Sequence, residues 1–166
     1  MNHAWLGIGS NVEPERNIRF AIDALRTAFP VIELSPVYRS RAVGFDGDDF
    51  INLVAAVQTA MTPLELRAWL RMLEDSQGRD RNSPKFSNRV IDVDILLYDD
   101  VVMNAPELVL PRPEILRFAH VLRPLADLSP DLPYPGDGRT IDELRRWISL
   151  DESGLCPIDP GFLAWD

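Results

Sequence analysis

Apolar residues along this chain change period several times, and each change marks an element. Residues 4–10 alternate as a strand ending in Gly9-Ser10-Asn11. Pro14 then suits a first helical turn, and Ile18, Ala21, Ile22, Leu25 and Phe29 recur on one side of a helix that Pro30 closes. Residues 31–40 and 50–59 have the composition of two strands, joined by an aspartate-rich loop around Gly44 and Gly47. Thr62-Pro63-Leu64-Glu65 is a capping box with proline at the first helical position, and Leu66, Trp69, Leu70 and Leu73 supply the buried stripe of a second helix ending near Gln77-Gly78. Residues 79–88 are polar and basic without periodicity, which predicts a loop entering another strand. Asp99-Asp100 suggests a turn into residues 101–103. Downstream, prolines from Pro106 to Pro135 break the chain into short segments, with local helices expected near residues 114–118 and 124–128. Thr140 with Glu143 opens a last helix over residues 140–148, and residues 149–166 carry no assignable pattern.

The order strand, helix, strand, strand, helix, strand predicts an α+β ferredoxin-like sandwich: an antiparallel sheet, two helices packed on one face, and C-terminal additions. The other face is left to hold a site. A chain of 166 residues with 46% hydrophobic composition fits a single domain over residues 1–166. No apolar run reaches membrane-spanning length, and the N-terminus lacks the basic and apolar segments of a signal peptide, so a cytoplasmic protein with no membrane partner is expected. Cys156 stands alone and permits no internal disulfide, and His3 and His120 make no zinc-ligand cluster. A net charge of −9 disfavours nucleic-acid binding, which needs a dense cationic surface. Polyphosphate would have to be handled by metal ions and locally placed arginines.

The segment Arg89-Val90-Ile91-Asp92-Val93-Asp94-Ile95-Leu96-Leu97-Tyr98 concentrates the candidate chemistry. On a strand Asp92 and Asp94 share one face while Ile91, Val93, Ile95 and Leu97 take the other. Two carboxylates about 6 to 7 Å apart along a strand repel each other unless solvent or cations intervene, and the flanking apolar residues suggest a central strand where solvent is limited. Magnesium, held by one or two carboxylates together with substrate phosphates, answers that need and makes the pair a platform for phosphoryl chemistry with ATP. An exposed acidic edge strand is the competing explanation.

Five motifs in order carry a resemblance: Gly7-Ile8-Gly9-Ser10-Asn11, Val37-Tyr38-Arg39-Ser40, Phe50-Ile51-Asn52, Gln77-Gly78-Arg79 and the double-aspartate strand. Over about residues 5–148 the chain resembles the 6-hydroxymethyl-7,8-dihydropterin pyrophosphokinase family, enzymes of folate biosynthesis that transfer pyrophosphate from ATP to a pterin alcohol and release AMP. The resemblance implies two magnesium ions on Asp92 and Asp94, catalytic roles for Arg79, Arg89 and Asp94, and nucleotide contacts from Glu74, Arg81, Ile95 and Arg112. Pterin contacts fall to Ala42, Val43, Gly44, Phe50, Asn52, Phe86 and His120, with residues 79–88 closing over the ligands. A monomer acting on ATP and a dihydropterin is expected.

One motif departs from the family's pattern. Where the family has a Pro-His-Pro-Arg type sequence leading into an Arg-Ala-Phe-Val-Leu type sequence, this chain reads Leu110-Pro111-Arg112-Pro113 and Arg117-Phe118-Ala119-His120-Val121-Leu122. Without gaps, Arg112 replaces a histidine that contacts ATP, Phe118 replaces a basic residue, and His120 replaces a phenylalanine that sandwiches the pterin. A divergent paralogue acting on a modified pterin and a noncatalytic pterin-binding domain are the alternatives. An imidazole of ordinary pKa at residue 120 predicts pterin affinity that varies between about pH 5.5 and 7.5.

Overall fold

The computed structural model describes residues 1–82, 84, 86–159 and 161. The elements, in chain order, are β1 (Asn2–Ser10), α1 (Pro14–Ala28), β2 (Ile32–Leu34), β3 (Val37–Ser40), β4 (Phe50–Thr59), α2 (Pro63–Ser76), β5 (Asp92–Tyr98), β6 (Met103–Asn104), β7 (Val109–Leu110), a 3-10 turn (Pro113–Leu116), α3 (Ala119–Leu128), α4 (Ile141–Ile148) and β8 (Cys156–Ile158). The main sheet is antiparallel and ordered β5-β1-β4-β3-β8, with β2 also on β4. This is the ferredoxin-like arrangement that the order of elements predicts, with the second strand split into β2 and β3 around Ser35-Pro36.

Alternation along the strands separates two faces. Ala4, Leu6 and Ile8 of β1, Ile51, Leu53, Ala55 and Val57 of β4, and Val93 and Ile95 of β5 meet Ile18, Ile22 and Leu25 of α1 and Leu66 and Leu70 of α2 in one buried core. The opposite face is covered only in part. There α3 packs across β3 and β4, and α4 packs on α3, around Val54, Leu122, Leu125 and Ile141. Both expected N-caps form: Thr62 and Thr140 accept hydrogen bonds from the backbone N–H groups of Glu65 and Glu143.

Three expectations need correction. Leu97 does not join Val93 and Ile95. A bulge lets Leu6 pair with Ile95 and Trp5 with Leu97, so Leu96 is an extra residue and both leucines enter the core beneath α3. Pro124 does not begin a helix either; it lies inside α3, where packing of Leu122 and Leu125 outweighs the lost backbone hydrogen bond. Within residues 149–166, Cys156–Ile158 adds β8 to the edge of the sheet against β3.

Candidate active site

β5 is an edge strand, not the central one its apolar flanks suggest, since those residues are covered by helices and not by a further strand, so half of its backbone polar groups have no strand partner. The site is built from the groups that satisfy them. Glu74, near the end of α2, accepts from the Val93 N–H at 3.0 Å, Arg79 donates to the Ile91 carbonyl at 3.1 Å, and the Arg112 N–H donates to the Leu96 carbonyl at 2.9 Å. Glu74 is only 4% exposed, and it also accepts from Arg79 at 3.2 Å and from Arg81 at 3.0 Å. Burial pushes its carboxyl above the ordinary glutamate range and the charge of Asp94 adds to this, while the Val93 N–H, Arg79 and Arg81 favour the charged form. Arg81 further donates to Asp75 and to the Arg71 carbonyl, offsetting two acids placed at the unfavourable end of a helix.

The register of three strands sets out the floor. Asp92, Gly9 and Asn52 form one row across β5, β1 and β4, and Asp94, Gly7 and Val54 the next. The two glycines leave that floor hollow. A Cβ on Gly9 would lie 2.9 Å from the Asn52 Oδ1, and one on Gly7 would lie 3.2 Å from the Leu96 side chain. Asn52 is buried and its amide donates to Ser40 Oγ at 2.8 Å.

Two adjoining cavities result. The first, about 400 Å³, is lined by Arg79, Arg89, Asp92, Asp94 and Arg112 on its charged side, and by Val43, Phe50, Asn52, Phe86 and His120 toward the β3–β4 loop and α3. The second, about 300 Å³, is lined by Glu74, Arg81 and Ile95, again with Arg79, Asp94 and Arg112. Expected nucleotide residues and expected pterin residues thus gather in separate spaces with a shared wall. Ala42 and Gly44 do not line either cavity; Gly44, at φ 81°, instead packs close to the Phe86 ring. Arg89 is 7% exposed and donates to the Pro84 carbonyl at 2.6 Å and to the Asn88 carbonyl at 3.3 Å, so it clips the loop as well as lining the first cavity.

Several lining residues escaped the sequence reading. Arg67 and Arg71, one turn apart on α2, join the second cavity, and Arg117 and Phe118 join the first. The spacing of Arg67, Arg71 and Glu74 on one helical face was an available signal. Asn11 lines neither cavity but ties both loops: its amide donates to the Asp48 carbonyl at 3.1 Å and to Asn88 at 2.8 Å, and its Oδ1 accepts from the Arg89 N–H at 2.7 Å.

His120 stacks on Phe118 with ring centroids 5.3 Å apart and planes 23° from parallel. Burial lowers its pKa below the ordinary histidine value, which moves the expected pH window down from 5.5–7.5. Asp94 is pushed up by desolvation against the cavity walls, with Arg112 opposing this and Asp92 adding to it. Arg79 is hydrogen-bonded to Asp92, yet its Nε is buried with no hydrogen-bond partner. Arg79 lines both cavities and brings its fixed positive charge to the wall they share.

Among the described residues no group of three or more His, Cys, Asp or Glu side chains is placed to hold a metal. Asp92 and Asp94 fit a metal of another kind, a hard cation that takes two carboxylates and completes its shell with phosphate oxygens and water. Fixed cations, a carboxylate pair and an adjoining aromatic pocket thus lie together on the walls of the two cavities. The family model for 7,8-dihydro-6-hydroxymethylpterin-pyrophosphokinase matches residues 5–130, and the chain belongs to that family. It is 38% identical over 148 residues to the 2-amino-4-hydroxy-6-hydroxymethyldihydropteridine pyrophosphokinase of Pseudomonas aeruginosa, covering 87% of this chain and 90% of that one. The enzyme of the same name from Synechocystis is 34% identical over 161 residues, covering 95% and 81%. The solved HPPK-DHPS structure of Plasmodium falciparum with pteroate has the same fold at a TM-score of 0.70 and 14% identity, over 89% of this chain and 42% of that one. The protein is accordingly a pyrophosphokinase of folate biosynthesis. No helix among the described residues is long and apolar enough to cross a membrane.

Proposed function

We propose that the protein transfers the pyrophosphate group of ATP to the hydroxymethyl oxygen of 6-hydroxymethyl-7,8-dihydropterin, releasing AMP, with the nucleotide in the second cavity and the pterin in the first. The observation that carries this division is the shared wall of Arg79, Asp94 and Arg112, which brings a carboxylate and two guanidinium groups to the place where the cavities meet. The pterin oxygen attacks the β-phosphorus, the bond from that phosphorus to the α-phosphate oxygen breaks, and AMP leaves with the electron pair. The hydroxyl proton passes to Asp94, the carboxylate on that wall. Alignment and charge neutralisation supply most of such a reaction's acceleration.

The residues divide the work. Arg79 and Arg112 meet the phosphates from the shared wall, while Glu74 holds Arg79 and Arg81 in place from beneath. Arg89 ties Pro84 and Asn88 to the wall of the first cavity. Asn52 presents an amide to the polar edge of the pterin, with Phe50 and Phe86 beside the ring. Asp92 and Asp94 would hold two magnesium ions, which when bound neutralise phosphate charge and polarise the attacked phosphorus. The protein acts as a monomer in the cytoplasm.

His120 favours a second acceptor, a pterin with a longer polar side chain. Among the described residues the imidazole stacks on Phe118 and makes no hydrogen bond, so its ring nitrogens are available to such a substituent. Incubation with magnesium, ATP and each pterin, followed by product mass analysis, tests both. AMP and a pterin heavier by one pyrophosphate are expected. ATP and pterin both recovered unchanged, or ADP as the product, would overturn the assignment.

A further inference from the structure

Arg79, Asp94 and Arg112 border both cavities, but the two arginines are held differently. Arg79 is fixed by Glu74, Asp92 and the Ile91 carbonyl. Arg112 is pinned only through its backbone, whose N–H donates to the Leu96 carbonyl at the end of β5. Its guanidinium is shared between two carboxylates, with Nε 3.1 Å from Glu114 Oε2 and Nη2 3.7 Å from Asp94 Oδ1. Neither contact is complete: Glu114 Oε2 is buried without a well-formed hydrogen bond, and 3.7 Å exceeds hydrogen-bond range. A long side chain on an anchored backbone, placed between two acids and 31% exposed, can change partners at little cost.

We propose that Arg112 is a built-in counter-cation for Asp94, competing with a divalent ion for that carboxylate and, once the ion is bound, releasing it to remain on Glu114 and meet the nucleotide phosphates. This rests on the reading of Asp94 as a metal-holding residue. Two cations on one carboxylate repel each other, so occupation by one weakens the other. Glu114 is then the second seat for the guanidinium, and its presence lowers the cost of leaving Asp94. Entry of the ion and delivery of an arginine to the phosphates become one linked event.

The test is Mn²⁺ binding to the full chain without nucleotide, read from the electron paramagnetic resonance signal of the free ion, with Mn²⁺ standing for Mg²⁺ at an oxygen-ligand site. Arg112→Gln should bind Mn²⁺ about threefold to tenfold more tightly, as expected for removing a partly solvated competing charge. Arg112→Lys should stay near the parent protein, which separates charge from shape. Glu114→Gln should weaken binding, because Arg112 is then confined to Asp94, and that loss should shrink in the double variant with Arg112→Gln. Unchanged or weaker binding by Arg112→Gln, or strict additivity in the double variant, overturns the proposal. Asp94→Asn distinguishes the two readings. If it binds Mn²⁺ like the parent, the metal assignment falls and the proposal with it; if it loses the ion while Arg112→Gln matches the parent, only the role of Arg112 falls.

Discussion

The two faces of β1 are made by alternate residues of one strand and do opposite things. Ala4, Leu6 and Ile8 are at most 2% exposed under α1 and α2, whereas Gly7 and Gly9 remove side chains from the other face and leave a hollow beside Asp94 and Asp92. One face is filled to hold the sheet; the other is emptied so that charged groups and ligands can meet on it. Stability and chemistry are therefore separable by single substitutions a residue apart.

The strongest break is expected on the open face. Asp92→Ala or Asp94→Ala should lower turnover by at least about 10²- to 10³-fold, the scale for losing one group that stabilises charge in the transition state. Thermal stability without magnesium should hold or rise in Asp94→Ala, because burial and Asp92 disfavour the charged form of that carboxyl, whereas Asp92→Ala also loses the ion pair with Arg79 and should not gain. Near-normal rates at saturating magnesium in both variants would remove the carboxylates from the chemistry. The filled face should answer in the opposite sense. Leu6→Ala should cost about 2 to 5 kcal/mol in urea unfolding, while the protein that remains folded keeps its turnover. A turnover loss out of proportion to the unfolded fraction would show that the faces are coupled.

Gly9→Ala probes the boundary. Its Cβ would meet the Asn52 Oδ1 at 2.9 Å, so the amide must shift. An overpacking cost of about 1 to 3 kcal/mol and a raised KM for pterin, with KM for ATP nearly unchanged, are expected. Equal rises in both would place the nucleotide on the same floor.

The filled face was legible in the sequence because strand and helix periods each act over neighbouring residues: β4 and α1 lie where their apolar spacing puts them, and Thr62 and Thr140 cap as their motifs predict. The carboxylate pair could be read for the same local reason, whereas Asn52 stood out only through the resemblance to the family. What escaped depends on pairing between distant segments. The bulge at Leu96 is defined only by the register against Trp5 and Leu6, and β8 exists only because β3 offers an edge. The pairing of Arg112 with Asp94 and Glu114 likewise requires the chain to return along β5. The resemblance put Ala42, Val43 and Gly44 beside the pterin, and the loop lines the cavity with Arg41, Val43 and Phe45.

The smallest expected effect concerns the edge of the open face. Burial lowers the pKa of His120, so the unfolded chain binds the proton more readily than the folded one. Its neutral form therefore contributes stability that is fully present above the unfolded value near 6.5 and is lost as pH falls through that value toward the lower folded one. Relative to the parent, His120→Phe should gain stability as pH drops from about 7.5 to 5. A pH-independent difference in urea midpoints would mean that the imidazole is as hydrated as in the unfolded chain.

The central claim is that two adjoining cavities, one on the hollow face and one along the free edge of β5 beside α2, are two adjoining sites, with Arg79, Asp94 and Arg112 between them. A crystal structure with magnesium, a nonhydrolysable ATP analogue and 6-hydroxymethyl-7,8-dihydropterin tests it most directly. The account predicts the nucleotide against Glu74, Arg81 and Ile95, the pterin against Asn52 and Phe50, and metal on Asp92 and Asp94 between them. Both ligands within one cavity, or carboxylates that touch no metal, would contradict it.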